Sequence, residues 1–412
     1  MATHPVSPLA PERFPDLPSV RGVAALTARL GLYKHERDEL LVLHFAPGTS
    51  VGGVFTRSST RSADVAWCRQ ALSASGGRAA ALVCNAGNSN AFTGPAGEAK
   101  NATTVAAVQA LTGCKVHEVY LAATGVIGQP VAPDLIAGPL PGLWGKLSPP
   151  DWHACARTIA TTDTYPKGAG ATALIDGKPV AIAGIAKGSG MIAPDMATML
   201  AFVVTDAALS PAVIQGLVAR HVATSFNAIT VDSDTSTSDT LLAFATGAAG
   251  APAIEALDDP RLADFEAAFA GVMTDLALQV VRDGEGAQKL IRVEVTGAAS
   301  DASAQTIARA IANSPLVKTA VAGGDANWGR VAMAVGKSGE PIALEKLAIR
   351  MGGEWTARDG GAVAYDEAAV DAVFASRDVE ILVDVGMGAG AAVVWTCDLT
   401  HGYIAINGDY RT

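Results

Sequence analysis

No part of the 412-residue sequence is apolar for the roughly 20 consecutive residues that a helix needs to cross a bilayer. Runs of lysine or arginine are missing as well, and the net charge is −10. That turns the chain away from nucleic acid and anionic membranes as main partners, while leaving room for a basic pocket that takes a small acidic substrate. The five cysteines, Cys68, Cys84, Cys114, Cys155 and Cys397, include no CxxC pair. An odd, scattered set in a large chain reads as reduced thiols of an intracellular protein. Seven histidines show no metal-ligand spacing, so no metal site is expected. The opening segment Met-Ala-Thr-His-Pro-Val-Ser-Pro carries neither a basic region before an apolar core nor an arginine-rich amphipathic pattern. A secretory signal or transit peptide is therefore not expected, and the expectation is a soluble cytoplasmic protein. Charged residues make up only 17% against 50% hydrophobic, which suits a compact protein rather than a disordered one. The length exceeds one ordinary core and predicts two or three domains or lobes.

What the chain does have is a concentrated motif, Lys187-Gly-Ser-Gly-Met-Ile-Ala-Pro-Asp-Met-Ala-Thr-Met-Leu200. Its front is a turn-rich loop and its back a buried strand, Thr198 to Val204. Thr198 stands at the junction, where a rigid element and an open loop commonly hold a reactive group. A threonine hydroxyl needs a base to act as a nucleophile, and no histidine lies in this stretch. The threonine's own α-amine would serve, with a pKa of roughly 7.7–8.0. That nitrogen is an amide in the chain as translated, so the idea requires a cut between Ala197 and Thr198. The plainer alternative is that Thr198 merely begins a strand.

Around this motif the pattern alternates between strands and helices. Strands are predicted at Glu39–Phe45, Ala79–Cys84 and Val116–Ala123, with helices at Asp64–Ser73, Glu98–Leu111 and Trp152–Ala160. Asn85 to Gly94 reads as an amide-rich loop, structural or site-lining. Thr124-Gly125 after a strand is either an ordinary turn or a hydroxyl and N–H pair aimed at one point, the equipment of an oxyanion hole. Asp176-Gly177 predicts a hairpin, and Ser210-Pro211 a helix start. The acids and hydroxyls of Ile229 to Asp239 could suggest cation binding but lack the ligand order of a calcium loop, and read as helix caps and loop hydrogen bonds. Leu262, Phe265, Phe269, Val272, Leu276 and Val280 fall on one helical face and predict core. Glu285, between two glycines, is either a solvated turn or a carboxylate facing a ligand's ammonium. Gly386-Met-Gly-Ala-Gly390 leads into a strand instead of a helix, which argues against a dinucleotide fold. The tail, Ile404 to Thr412, reads as a strand-like run that then folds back or frays.

Several of these segments together resemble one family. Lys187-Gly-Ser-Gly-Met-Ile192 with Met196-Ala-Thr-Met-Leu200 is similar to the signature of the ornithine acetyltransferase (ArgJ) family. So are Ala123-Thr-Gly-Val-Ile-Gly128, Thr161-Thr-Asp-Thr164, Arg282-Asp-Gly-Glu-Gly-Ala287, Gly324-Asp-Ala-Asn-Trp-Gly-Arg330, Cys397-Asp-Leu-Thr400 and Tyr410-Arg-Thr412, in matching order over nearly the whole chain. The resemblance implies an α/β fold: an α-β-β-α sandwich of the self-cleaving type (1–287) with a smaller C-terminal α/β domain (288–412). It implies cleavage between Ala197 and Thr198 into an α chain (1–197) and a β chain (198–412), assembled as α2β2. The implied reaction moves acetyl from N2-acetylornithine to glutamate in arginine biosynthesis, with no resident cofactor and with acetyl-CoA as a further donor in some members.

The same resemblance makes Thr198 the nucleophile and makes Thr124 with Gly125 the oxyanion hole, a contribution of roughly 3–4 kcal/mol per donor. It has Thr161, Lys187, Thr198, Glu285, Asn407 and Thr412 contact substrate, with Lys187 on the α-carboxylate and Glu285 on the donor's ammonium. Two departures stand out. Asp195 replaces a more usual Asn, and Asp232-Ser-Asp234 replaces Asp-Gly-Asp. Rival readings are an amidase or aminopeptidase of the same self-cleaving fold, which passes the acyl group to water, and a non-catalytic amino-acid-binding protein with an uncut chain.

Overall fold

The computed structural model of the chain describes residues 5–34, 36–193 and 199–408. The first sheet has the order β1 (Val23–Ala28), β2 (Leu40–Phe45), β4 (Ala81–Asn88), β5 (Val119–Val126). The second runs β3 (Ser50–Phe55), β9 (Thr240–Ala245), β8 (Leu200–Thr205), β7 (Lys178–Lys187), β6 (Lys167–Ile175). Side-chain alternation along the strands decides how these sheets meet. Ala183, Ile185, Leu200, Phe202 and Val204 share one buried cluster with the first sheet. Ile182, Ala201 and Val203 on the other face are buried against α6 (Pro211–Val222) and α7 (Ala263–Arg282). Across the sandwich Phe45 stacks on Phe244, ring centres 4.3 Å apart.

On the first sheet's side lie α1 (Ala63–Ala74) and α2 (Pro95–Thr112), both packed on β5, with the short turns α3 (Asp134–Ala137) and α4 (Leu140–Leu143) beside α2. The helix α5 (Trp152–Ile159) touches strands of both sheets. The layers are thus α-β-β-α. The helical face predicted from Leu262 to Val280 is fully buried against the second sheet. No helix among the described residues is long and apolar enough to cross a membrane.

A third, mixed sheet gathers the rest of the chain: β13 (Gly361–Ala362), β12 (Glu354–Arg358), β11 (Ala348–Met351), β14 (Asp378–Asp384), β10 (Leu290–Ala298), β15 (Gly390–Cys397). Ile291, Val293 and Val295 turn one face of β10 into a core shared with α8 (Asp301–Ala312), α9 (Pro315–Ala322), α10 (Trp328–Gly336) and α11 (Glu367–Phe374). On the other face Arg292 bonds Glu294 at 2.7 Å and also reaches Glu380. The glycine run at 386–390 does lead into a strand, β15.

Local differences from the sequence reading have local causes. The strand β4 runs on to Asn88, through residues that composition assigns to a loop. Pairing with β5 continues to Gly87 opposite Gly125, and buried partners satisfy the amides that would otherwise forbid a strand there. The tail is a helix, α12 (His401–Gly408), instead of a strand-like run. The Asp176-Gly177 hairpin forms with both residues at positive φ, 52° and 74°.

Candidate active site

The ends of β5, β7 and β8 bring the distinctive residues together. Thr124 lies near the end of β5, and Gly125 follows with φ +131°, where a Cβ would stand 2.5 Å from the Gly87 carbonyl carbon. Only glycine lets β4 and β5 approach so closely at this point. Lys187 ends β7 on the face that looks between the two sheets, in phase with Ala183 and Ile185. Its Nζ donates to Thr124 Oγ1 at 3.2 Å. The hydroxyl accepts that bond, so its own proton remains available for an oxygen beyond, and the adjacent positive charge makes it a stronger donor.

The chemistry of Lys187 shows against the other buried lysines of the described residues, Lys100, Lys167 and Lys318. Lys100 bonds Asp64 and Asn85. Lys167 bonds Asp163 and Asp283, each at 2.6 Å, and the Tyr165 carbonyl. Lys318 bonds the Val231 carbonyl, Thr396 and the Cys397 carbonyl. Among the described residues Lys187 bonds one neutral hydroxyl, although it is only 4% exposed. Burial lowers its pKa, with Asp163 and Glu285 opposing. A buried ammonium with unused donors is built to receive an anion.

Glu285 supplies the opposite sign. It is 9% exposed in the turn after α7, and its backbone N–H donates to the Ser189 carbonyl at 3.0 Å. Asn407 Nδ2 of α12 donates to Glu285 Oε2 at 2.7 Å, so the tail does fold back here. A Cβ on Gly190 would lie 2.5 Å from the Glu285 carboxyl carbon, which gives the Lys-Gly-Ser-Gly motif a steric reason. Burial raises the Glu285 pKa, partly offset by bonds from Asn407 and Thr162. The Thr162 and Ser189 hydroxyls pair at 2.7 Å. Thr161 is held by its backbone N–H, which donates to Asp163 at 2.9 Å. Of the neighbouring pair, then, Thr162 carries the hydroxyl that faces Glu285.

Beneath these groups lies a charge cluster that sequence reasoning did not single out. Asp163 accepts from Lys167, Thr161 N and Gly188 N, and Asp283 accepts from Lys167 and Thr164 N. One buried ammonium thereby ties the 161–164 loop, the 187–190 loop and the 283–286 turn into one rigid floor. Burial alone would raise the Asp163 pKa, but the Lys167 and Lys187 charges hold it below the ordinary carboxylate range. Asp163 lies in Thr161-Thr-Asp-Thr164 and Asp283 in Arg282-Asp-Gly-Glu-Gly-Ala287. Lys167 opens the Gly-Ala strand β6, and nothing in its spacing marks it.

Asp232 caps the same region by accepting the N–H groups of Met191 and Ile192, at 2.6 and 2.8 Å. Ser233 next to it has φ +65°, a conformation that glycine adopts without cost. Asp195, Ala197, Thr198 and Thr412 lie outside the described residues. The first described residue after them, Met199, donates its N–H to Asp239 Oδ1 at 2.9 Å. The described arrangement offers a cationic point backed by a hydroxyl donor and, across it, a carboxylate. Charges of opposite sign at two points suit the ends of a small zwitterionic molecule.

Comparison with known proteins identifies the family. Residues 24–412 match the sequence model of the ArgJ family. The protein called arginine biosynthesis bifunctional protein ArgJ from Caulobacter vibrioides is 55% identical over 401 residues, covering 97% of this chain and 100% of its own. Its namesake from Gluconobacter oxydans is 53% identical, covering 99% and 96%. A crystal structure of the Bacillus halodurans protein of the same name shares 41% identity with a TM-score of 0.49, over 51% of this chain and 98% of that one.

Proposed function

The chain belongs to the ArgJ family, and from that membership we propose that it moves an acetyl group from N2-acetylornithine to glutamate by way of an acetyl ester on Thr198. It is an acyltransferase whose nucleophile becomes a chain terminus when the bond between Ala197 and Thr198 is cut. The α-amine then takes the Thr198 hydroxyl proton while Oγ attacks the acetyl carbonyl. The Thr124 hydroxyl and the Gly125 N–H stabilise the oxyanion. Ornithine departs, and the amine of glutamate takes the acetyl group from the ester.

The observation that carries this reading is the pairing of Lys187, a buried cation bonded to the Thr124 hydroxyl, with Glu285, a buried carboxylate. The α-carboxylate common to donor and acceptor suits Lys187, and the donor's ammonium suits Glu285. Glutamate brings an acid to the same place, and the raised pKa of Glu285 supports a way to admit it. As a carboxylate Glu285 accepts from ornithine's ammonium; as a carboxylic acid it donates to glutamate's side chain.

Acetylornithine labelled in its acetyl group tests the scheme. Without glutamate, the fragment that begins at Thr198 gains one acetyl group in mass; with glutamate, the label passes to N-acetylglutamate. Label released as acetate at the same rate with and without glutamate would instead establish the hydrolase alternative. A parallel incubation with acetyl-CoA and glutamate asks whether this chain accepts the second donor.

A further inference from the structure

Self-cleavage leaves a chemical gap. Before the cut, the nitrogen of Thr198 is an amide, so the amine that serves the mature enzyme cannot activate the hydroxyl of the precursor. The geometry points to Asp239 as the base that fills this gap, an inference that rests on the cleavage reading above.

Asp239 is fully buried directly before β9. The strands β8 and β9 are parallel neighbours with Leu200 opposite Thr240, and Thr240 N donates to the Met199 carbonyl at 3.1 Å. With Oδ1 2.9 Å from Met199 N, the carboxylate is held against the peptide group that joins residues 198 and 199. Covalent geometry alone keeps the hydroxyl and the nitrogen of Thr198 within about 5 Å of Met199 N. Among the described residues Asp239 Oδ2 is buried without a hydrogen-bond partner within bonding geometry. The Thr56 hydroxyl donates to the Ser236 carbonyl at 2.7 Å, and the Ser236 and Thr56 hydroxyls near the carboxyl only partly offset its burial. The charged group that faces Asp239 is Lys187 of β7. A buried carboxylate oxygen without a donor costs stability. Such an oxygen makes chemical sense where it has a proton to take. Burial also holds the carboxyl well above the ordinary range, which brings its basicity closer to the working pH.

The step balances without a co-reactant beyond water. Asp239 takes the proton of Thr198 Oγ as Oγ bonds to the Ala197 carbonyl carbon. The carbon–nitrogen bond breaks as the nitrogen takes the proton from Asp239, leaving an ester and a free amine. Water then opens the ester, giving its hydroxyl to Ala197 and its proton to Oγ.

The test follows the division of newly made full-length chain, 41.7 kDa, by intact mass. Asp239→Asn keeps an acceptor for Met199 N–H and removes the basicity. Division is expected to slow by about 10²–10⁴-fold, with the circular dichroism and melting curve of the wild type. A folded D239N chain that divides at the wild-type rate overturns this proposal and leaves the acetyl-threonine scheme standing. If D239N does not fold, the wild-type chain carries the test: its division rate must rise with pH through one ionisation above the usual carboxylate value. A flat profile from acid to neutral pH overturns the proposal equally. A wild-type chain that never divides overturns the cleavage reading itself.

Discussion

At Lys187 a single neutral hydroxyl stands where other buried ammonium groups of the described chain find two or three oxygens. Replacing it with methionine removes the charge with little change of volume. Because the α-carboxylate is common to both substrates, Lys187→Met is expected to lower kcat/KM for acetylornithine and glutamate alike, by about 10–10²-fold. Steady-state kinetics in both half-reactions measure this, and a loss confined to one substrate would refute the shared-carboxylate role. Glu285 gives a pH prediction of opposite sign for the two substrates. Its pKa is raised by burial, so protonation begins above the usual carboxylate range. As pH falls through that point, KM for acetylornithine should rise, because the ammonium loses its acceptor, while KM for glutamate should fall, because a donor appears. Parallel movement of the two values would rule out the proton-switched pocket. Ser233, at φ +65°, carries a cost that glycine avoids. Ser233→Gly should stabilise the fold by about 0.5–1 kcal/mol, seen as a higher denaturation midpoint with activity unchanged.

Among the elements, β5 and its neighbour β4 set the proposed oxyanion donors by a backbone contact that only Gly125 permits. Gly125→Ala should push the strands apart, costing about 1–3 kcal/mol of stability, and should lower kcat more than it raises KM. Kinetics and a melting curve on the same preparation decide it; an unchanged kcat would exclude Gly125 from the oxyanion site. The sequence already marks the ends of β5 and β7, because Thr124-Gly125 and Lys187-Gly188 punctuate buried apolar runs. It hides β3, where Gly52 and Gly53 deplete the strand signal. Gly52 is there because α6 lies on it, with Gln215 backbone 2.7 Å from where a Cβ would be. It also hides the partners of Lys167 and Asp239, which lie 116 and 40 residues away, at Asp283 and Met199. Local pattern carries no trace of such pairs, whereas the face of α7 is legible because its period is internal to the helix.

For the whole molecule, the sheet order β3-β9-β8-β7-β6 makes the proposed cut a matter of covalent structure alone. The strands β8 and β9, which follow the proposed cleavage point, lie between β3 and the β7–β6 hairpin, which precede it. Phe202, Val204, Leu242 and Phe244 from the second piece are buried in the same cluster as Leu41 and Ile185 from the first. The pieces should therefore co-elute in high salt, which screens charge but not apolar burial, and separate only in denaturant. Elution as separate species in salt alone would contradict this packing. The most direct measurement is N-terminal sequencing of the purified, active protein after denaturing separation. A fragment that begins Thr-Met-Leu-Ala, present in proportion to activity, is the predicted result. Full transferase activity in a preparation that contains only the uncut 41.7 kDa chain would contradict the account.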